Sequence, residues 1–241
     1  MQIYSKTDIG LRRSSNQDSV ITGRLEDGAV FAVVCDGMGG ANAGNVASET
    51  ASMVISQYIT QSYRLGMDGF EVEKMLKNAI SSANMEVYDM SLNDESLKGM
   101  GTTTVVAVVK DDTAVIAHVG DSRAYIAGEE LKLLTRDHSV VQSLIESGKI
   151  TPEDAKVHPR KNVITRALGI EENVVVDSSE IEFPKDSILL LCTDGLSGYA
   201  EETDILNALK GDADTAPDRL ISLALAGGGG DNITVVTVTD R

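Results

Sequence analysis

The chain is poor in cysteine, in basic residues and in long apolar runs. Cys35 and Cys192 are the only cysteines among 241 residues, too few for a disulfide framework. Each lies inside an apolar stretch and reads as a buried small hydrophobe of a reducing compartment, with a disulfide or redox switch as the alternative. Lys and Arg number 21 against 37 Asp and Glu, a net charge of −16. That deficit argues against binding a nucleic-acid backbone, which needs concentrated lysine and arginine, and against attachment to an anionic membrane surface. No stretch approaches the roughly 18 to 20 apolar residues of a membrane span, and the N-terminus has no signal-peptide pattern. A cytoplasmic protein is expected. No long Pro/Ser-rich linker, repeat or charge block divides the chain, whose length suits one well-packed domain or two small ones. No Gly-Lys-Ser/Thr follows a glycine-rich turn, which excludes a P-loop. His118, His138 and His158 lack close ligand-like pairing and read as structural or surface residues.

What the chain does have is aspartate at the mouths of apolar runs. Ala29–Cys35 leads into Asp36-Gly37, Ala114–Gly120 into Asp121, and Ile188–Thr193 into Asp194-Gly195. Asp231-Asn232 opens the run Ile233–Val238, and Asp18 closes the segment Arg13-Ser14-Ser15-Asn16-Gln17-Asp18.

Strand-like runs are expected near Met1–Thr7, Ser19–Thr22, Ala29–Cys35, Thr102–Val109, Thr113–Val119, Ala124–Ala127, Ile188–Thr193 and Ile233–Thr239. Two long amphipathic helices follow from Val46, Ala47, Ala51, Val54, Ile55, Tyr58 and Ile59, and from Val72, Met75, Leu76, Ala79, Ile80, Ala83, Val87 and Met90. A further helix spans Asp214–Ala226. The order does not alternate as βαβα would, and hairpin-like spacing between 102 and 127 favours antiparallel pairing. The fold class is therefore α+β, with helices covering antiparallel sheets. In such sheets the end of one strand lies beside the start of its neighbour, so Asp231 can share an edge with Asp36 and Asp194.

Between Arg136 and Leu168 the pattern changes. Val140–Ser147 with Gly148 reads as a short helix and its stop, and Thr151-Pro152-Glu153-Asp154 as a helix start. The tail from Lys156 to Arg166 carries Lys156, Arg160, Lys161 and Arg166 without an acid. It is either a solvated loop or a lip that attracts an anionic substrate.

Two carboxylates about 4 Å apart repel by roughly 4 kcal/mol at an effective dielectric near 20. If Asp18, Asp36, Asp194 and Asp231 converge, the cluster therefore calls for cations. All-oxygen ligands select hard ions, so Mg²⁺ or Mn²⁺ fits and zinc or iron does not. Gly37 allows a sharp turn and exposes its carbonyl, and Gly39, Gly40 and Gly44 allow close approach before the first long helix. Gly227–Gly230 ahead of Asp231 is either a flexible joint or a tight approach to the metal edge.

Singly these motifs are weak. In order, Arg13-x-x-Asn16-x-Asp18, Asp36-Gly37-Met38-Gly39-Gly40, Gly101-Thr102-Thr103, Gly120-Asp121-Ser122-Arg123, Asp194-Gly195 and Asp231-Asn232 resemble the metal-dependent serine/threonine protein phosphatases of the protein phosphatase 2C family, in their compact bacterial form. The resemblance implies a sandwich of two antiparallel sheets flanked by helix pairs. It also implies a single phosphatase domain over 1–241 with a flap at about 136–168. By motif position Asp36 bridges two Mg²⁺ or Mn²⁺ ions, with the Gly37 carbonyl on one and Asp194 and Asp231 on the other. Asp18 sits in the inner or water-mediated shell. Asp121 matches an aspartate that shares a third ion with the counterpart of Asp194; the plainer reading is a turn residue ending a hairpin strand. Arg13 matches the arginine that clamps the substrate phosphate, a task suited to a fixed guanidinium fork.

The implied activity is hydrolysis of phosphoserine and phosphothreonine on proteins by in-line attack of a metal-bridging water, without a phosphoenzyme. The implied partners are phosphorylated proteins, a cognate serine/threonine kinase among them, with the enzyme acting as a monomer. One departure stands out. Some members carry a histidine within or just after the Asp-Gly-x-Gly-Gly segment, proposed to protonate the leaving alkoxide; here Met38 and Ala41 stand at those positions. The rival expectations are a metallohydrolase of small phosphate esters or diesters, and a non-catalytic regulatory module on the same fold.

Overall fold

The computed structural model describes residues 1–39 and 43–240. Among them, eleven strands build two antiparallel sheets. The first sheet has the order β1 (Gln2–Asp8), β11 (Ile233–Thr239), β10 (Ile188–Cys192), β7 (Arg123–Ala127), β8 (Leu131–Leu133). The second has the order β2 (Asp18–Arg24), β3 (Val30–Met38), β5 (Thr104–Lys110), β6 (Thr113–Val119), β9 (Asp177–Glu182), with the two-residue β4 (Gly101–Thr102) paired to the end of β3.

The central strands lack polar alternation because both their faces are buried. Successive side chains point to opposite faces, and the core divides accordingly. Val30, Ala32 and Val34 of β3 meet Leu189, Leu191, Val236 and Val238 between the two sheets. Their neighbours Phe31, Val33 and Cys35 face α1 (Ala43–Ser62) and α2 (Gly69–Asn93). On the far side Ile188, Leu190, Ile233 and Val235 pack under α5 (Asp194–Ser197), α6 (Glu202–Leu209) and α7 (Ala216–Ala226). The result is the expected sandwich with helices outside both sheets.

Both long helices follow their apolar stripes. Ala47, Ala51, Ile55 and Ile59 of α1 are fully buried at four-residue spacing, and the alanines let the helix lie close to the sheet. The second helix opens with a capping box: Asp68 accepts from the Glu71 N–H while the Glu71 carboxylate accepts from the Asp68 N–H. Between 136 and 168, Ser139 caps α3 (Val140–Glu146) and Thr151 caps α4 (Pro152–Lys156). The backbone bridge Ser139↔Ile164 closes this segment on itself, and Thr102↔Leu168 ties its end to the body of the protein.

Several boundaries differ from the sequence expectation. Strand β3 continues through Asp36 to Met38, and the expected strand 102–109 is broken at Thr103. β8, β9, α5 and α6 were not expected. β9 is an edge strand of sequence DSSEIE whose residues are all at least partly exposed, so it carries no apolar signal. In α6 only Ile205 and Leu209 are buried, too short a stripe to stand out from sequence.

Candidate metal centre and phosphate site

The aspartates come together in two pairs, one from each sheet: Asp231 shares a sheet edge with Asp194, as expected, but not with Asp36, whose strand lies in the facing sheet. Asp18, the first residue of β2, lies directly opposite Asp36 of β3. Gly37 pairs with Thr102, and its N–H donates to the Gln17 carbonyl at 3.0 Å. A Cβ on Gly37 would stand 2.0 Å from the Gly44 carbonyl oxygen, so only glycine permits β3 and α1 to approach here. Asp194 opens α5 immediately after β10. Because β10 runs antiparallel to β11, with Cys192 opposite Val235, the end of β10 lies next to the segment that carries Asp231.

A chain of hydroxyls fixes Asp18. Its Oδ2 accepts from Thr193 Oγ1 at 2.9 Å and from Thr234 Oγ1 at 2.7 Å. Thr193 Oγ1 in turn accepts from the Thr234 N–H, and Thr234 Oγ1 lies 2.8 Å from Thr7 Oγ1. The other oxygen, Asp18 Oδ1, is buried without a partner, as is Asp194 Oδ1. Burial, with the charges of Asp194 and Asp231 adding, pushes Asp18 up to about 7 against the pull of the two threonines. Burial and then Asp231 push Asp194 up to about 6. Asp36 is raised well above the carboxylate range by burial, then by Asp18, Asp194, Asp121 and Asp231. Buried carboxylates that resist ionisation, with two oxygens left over, form an all-oxygen donor set that suits a hard divalent cation.

Arg13 lies at the rim, where its Nη2 donates to Asp231 Oδ2 at 2.6 Å. That hydrogen bond raises the guanidinium above its ordinary value against partial burial. The neighbouring Asn232, whose role the sequence did not reveal, holds the segment that carries Arg13. Its Oδ1 accepts from the Gln17 N–H at 2.8 Å, and its Nδ2 donates to the carbonyls of Ile9 at 2.9 Å and Ser15 at 3.0 Å. Both flanks of the loop are thereby pinned to the start of β11.

Asp121 follows β6 and belongs to the same electrostatic cluster. Burial and the charge of Asp194 push it up to about 7. A hydroxyl relay joins its loop to β3: the Asp36 N–H donates to Thr103 Oγ1 at 3.1 Å, which lies 2.7 Å from Ser122 Oγ. Behind this loop Arg123 forks onto Asp137 at 2.9 and 2.7 Å. His138 grips Gly120 twice, its N–H donating to the Gly120 carbonyl at 2.9 Å and its Nδ1 accepting the Gly120 N–H at 3.0 Å. Contrary to the expectation that the histidines lack close pairing, His118 and His138 stack with ring centroids 4.9 Å apart. Asp177 completes a trio with metal-like spacing. The Arg166 guanidinium already stands there, donating to Asp177 Oδ1 at 2.7 Å, so the trio is filled by a cation of the chain itself. Both imidazoles are also tied to backbone, His118 Nε2 lying 2.9 Å from the Arg136 carbonyl.

The basic tail divides in two. Lys156 binds Glu201 at 2.8 Å and Arg166 binds Asp177, while Arg160 and Lys161 have no ion pair among the described residues. The glycine run 227–230 makes a tight approach, and its neighbour is Tyr199. A Cβ on Gly227 would lie 2.0 Å from the Tyr199 carbonyl oxygen, and one on Gly230 2.3 Å from the phenolic oxygen. The phenol is raised above its ordinary value by burial, then by Asp231 and Asp194, with Arg13 and Arg12 opposing. Met38 packs its methyl group over Gly101 and offers no proton. Gly40 and Ala41 lie outside the described residues. Cys35 and Cys192 are fully buried free thiols in different core layers, each pushed up to about 12 by burial.

The protein phosphatase 2C family model matches residues 12–219. The chain belongs to this family. It is 40% identical over 241 residues to the serine/threonine phosphatase stp of Listeria monocytogenes serotype 4b, covering 99% of this chain and 95% of the relative. The structure of the S. agalactiae serine/threonine phosphatase superposes with a TM-score of 0.93 at 35% identity, over 100% of this chain and 99% of that one. The catalytic domain of the serine/threonine protein phosphatase PstP, solved in complex with two manganese ions, superposes with a TM-score of 0.86 at 33% identity, over 98% and 96%. Both sheets and the flanking helices thus recur in solved family members. No helix among the described residues is long and apolar enough to cross a membrane.

Proposed function

We propose that Asp18, Asp36, Asp194 and Asp231, with Arg13 at their rim, are the reaction centre of this protein phosphatase 2C member. The chain is a serine/threonine protein phosphatase that depends on divalent metal and acts on phosphoproteins. The observation that carries the site assignment is the pair of buried, unpartnered oxygens, Asp18 Oδ1 and Asp194 Oδ1, within a cluster where burial and neighbouring charge raise the affinity of Asp18, Asp36 and Asp194 for protons. Asp36 would bridge two Mg²⁺ or Mn²⁺ ions, with the Gly37 carbonyl, Asp194, Asp231 and Asp18 supplying the other protein ligands. When bound, the ions neutralise the carboxylates, lower the pKa of water towards neutrality and screen charge on the phosphoryl oxygens.

The chain's own groups do the rest. Asn232 holds the 9–17 loop so that Arg13 stands beside Asp231, where its remaining N–H groups can grip a phosphate in a fixed fork. Thr193 and Thr234 keep Asp18 oriented. Residues 136–168 act as a flap whose Arg160 and Lys161 draw the anionic substrate in an otherwise acidic protein. The substrates are those of a cognate serine/threonine kinase, the kinase among them. The buried free thiols suit a monomer working in the reducing cytoplasm.

The test is hydrolysis of phosphoserine, phosphothreonine and phosphotyrosine peptides and of a phosphodiester, with manganese and with chelator. Manganese-dependent release from the first two is expected; preference for the diester would favour a different hydrolase. Asp121, proposed to share a third ion with Asp194, bears on the leaving group. With no proton donor at Met38, loss of Asp121 falls on departure of a poor alkoxide. Asp121→Ala is therefore expected to slow phosphopeptide hydrolysis roughly 10-fold more than that of an aryl phosphate, whose leaving group needs no proton. Equal losses on both substrates would sink this role.

A further inference from the structure

We propose that Tyr199 is a further substrate-contacting residue, whose hydroxyl donates a hydrogen bond to the phosphate monoester gripped by Arg13; the inference rests on the reading of the site above. Two segments deliver the phenol, and both also deliver proposed ligands. Tyr199 ends the turn that begins at Asp194, with the Gly198 N–H on the Asp194 carbonyl at 2.7 Å and the Tyr199 N–H on the Leu196 carbonyl at 3.1 Å. Its ring then lies along the glycine run that ends at Asp231. The would-be Cβ atoms of Gly228 and Gly230 stand 3.8 Å from ring carbon Cδ1 and 2.3 Å from the phenolic oxygen.

Any side chain at Gly230 would displace the hydroxyl, and Gly228 and Gly229 hold φ angles of +124° and +50°, the region that favours glycine. The run is thus a cradle that holds the phenolic oxygen against Gly230, the residue before Asp231, and Asp231 is the carboxylate to which Arg13 is bonded at 2.6 Å. A flexible joint would need neither the contact nor the fixed left-handed backbone.

The hydroxyl makes no hydrogen bond to the described residues, and its side chain is partly exposed, so it is free to meet a ligand from solvent. The chemistry of the opening gives it one to meet. A phosphate dianion approaching four aspartates needs donors, and one N–H of Arg13 is already engaged with Asp231. A neutral O–H at the same rim adds a donor without a further charge to desolvate. The donor meets the phosphoryl group equally before and during reaction, so its loss falls on KM more than on kcat.

Tyr199→Phe tests this, because the ring and its glycine cradle are kept. With manganese-loaded full-length enzyme and a phosphothreonine peptide, kcat/KM is expected to fall at least about 10-fold, the scale of one hydrogen bond to an ionised group. The fall is expected in KM, and inorganic phosphate, used as a competitive inhibitor, is expected to weaken by the same factor. Thermal stability and manganese affinity are expected to match the wild type. An unchanged KM and phosphate inhibition constant overturn the proposal, as does a loss that tracks weakened manganese binding or unfolding. Tyr199→Leu, which removes ring and hydroxyl together, is expected to weaken phosphate at least as much; normal phosphate inhibition in it would also overturn the contact. Manganese-dependent activity of the wild type and its loss in Asp36→Asn report on the underlying site. The ratio of Tyr199→Phe to wild type reports on this inference alone.

Discussion

Asp36→Asn is expected to abolish manganese-dependent hydrolysis, by roughly 10³-fold or more, while making the metal-free protein more stable. The two effects share one cause. Asp36 lies opposite Asp18 in the β2–β3 pair, and the charges of Asp18, Asp194, Asp121 and Asp231 all oppose its ionisation. A pair of charges about 4 Å apart costs roughly 4 kcal/mol at an effective dielectric near 20. Proton uptake already relieves part of that cost, so the substitution is expected to recover about 1–3 kcal/mol. In a chain of this length that corresponds to a Tm higher by roughly 2–10 °C in chelator. The asparagine amide also carries no charge for the neighbouring Asp194 carboxylate to repel. In saturating manganese the order reverses, because the wild type gains binding energy that the variant cannot. Calorimetry with and without manganese, beside the peptide assay, reads all three outcomes. A lower Tm for the variant in chelator would show that Asp36 is a stabilising core residue rather than a strained ligand.

Much of this arrangement is legible in the chain. The apolar runs identify the central strands because burial on both faces leaves no room for polar residues. The aspartates at their mouths point to the site only as an ordered set with Arg13, since Asp27, Asp111, Asp112, Asp186 and Asp240 also flank apolar runs. The residues that hold the ligands in place are harder to see. Thr7 and Thr234 are ordinary strand residues, and Thr193 an ordinary residue after one, until β1, β11 and the end of β10 gather them around Asp18. Asn232 sits next to a conspicuous aspartate, yet its three bonds reach back more than 200 residues, to Ile9, Ser15 and Gln17. The four glycines before Asp231 announce a special backbone without naming Tyr199 as its cause. The basic tail misleads in the opposite direction: four charges adjoin in sequence, but Glu201 and Asp177 engage two of them. β9 is invisible for a related reason, since an edge strand of a polar face has nothing apolar to display.

The acidic cluster also fixes how stability depends on pH, and metal is expected to change the sign of that dependence. Asp18 and Asp121 stand at about 7 and Asp194 at about 6 in the folded protein, against roughly 3.9 in the unfolded chain. Between those limits the folded state binds more protons than the unfolded one, so stability rises as pH falls. The penalty is fully present above pH about 7 and is gone near pH about 4. Other carboxylates act oppositely at the acid end. Glu146 is held at about 2 by Arg136, and Asp177 lies below its ordinary value despite burial because Arg166 and His138 hold it there. Their contributions are lost as pH falls through those depressed values, which leaves the metal-free maximum near pH about 5. Cations need the cluster ionised, so manganese stabilises by an amount that grows with pH and is small at pH about 5. Melting curves from pH 5 to 8 are therefore expected to fall with pH in chelator and to flatten or rise with manganese. Lower pH also relieves the general self-repulsion of a chain of −16, but that term has no reason to reverse with one divalent ion. Asp36→Asn separates the two contributions, because it removes one titrating ligand and leaves the surface alone. Its chelated melting temperature should fall less steeply with pH than the wild type's; parallel slopes would assign the effect to surface charge and remove the cluster from the account.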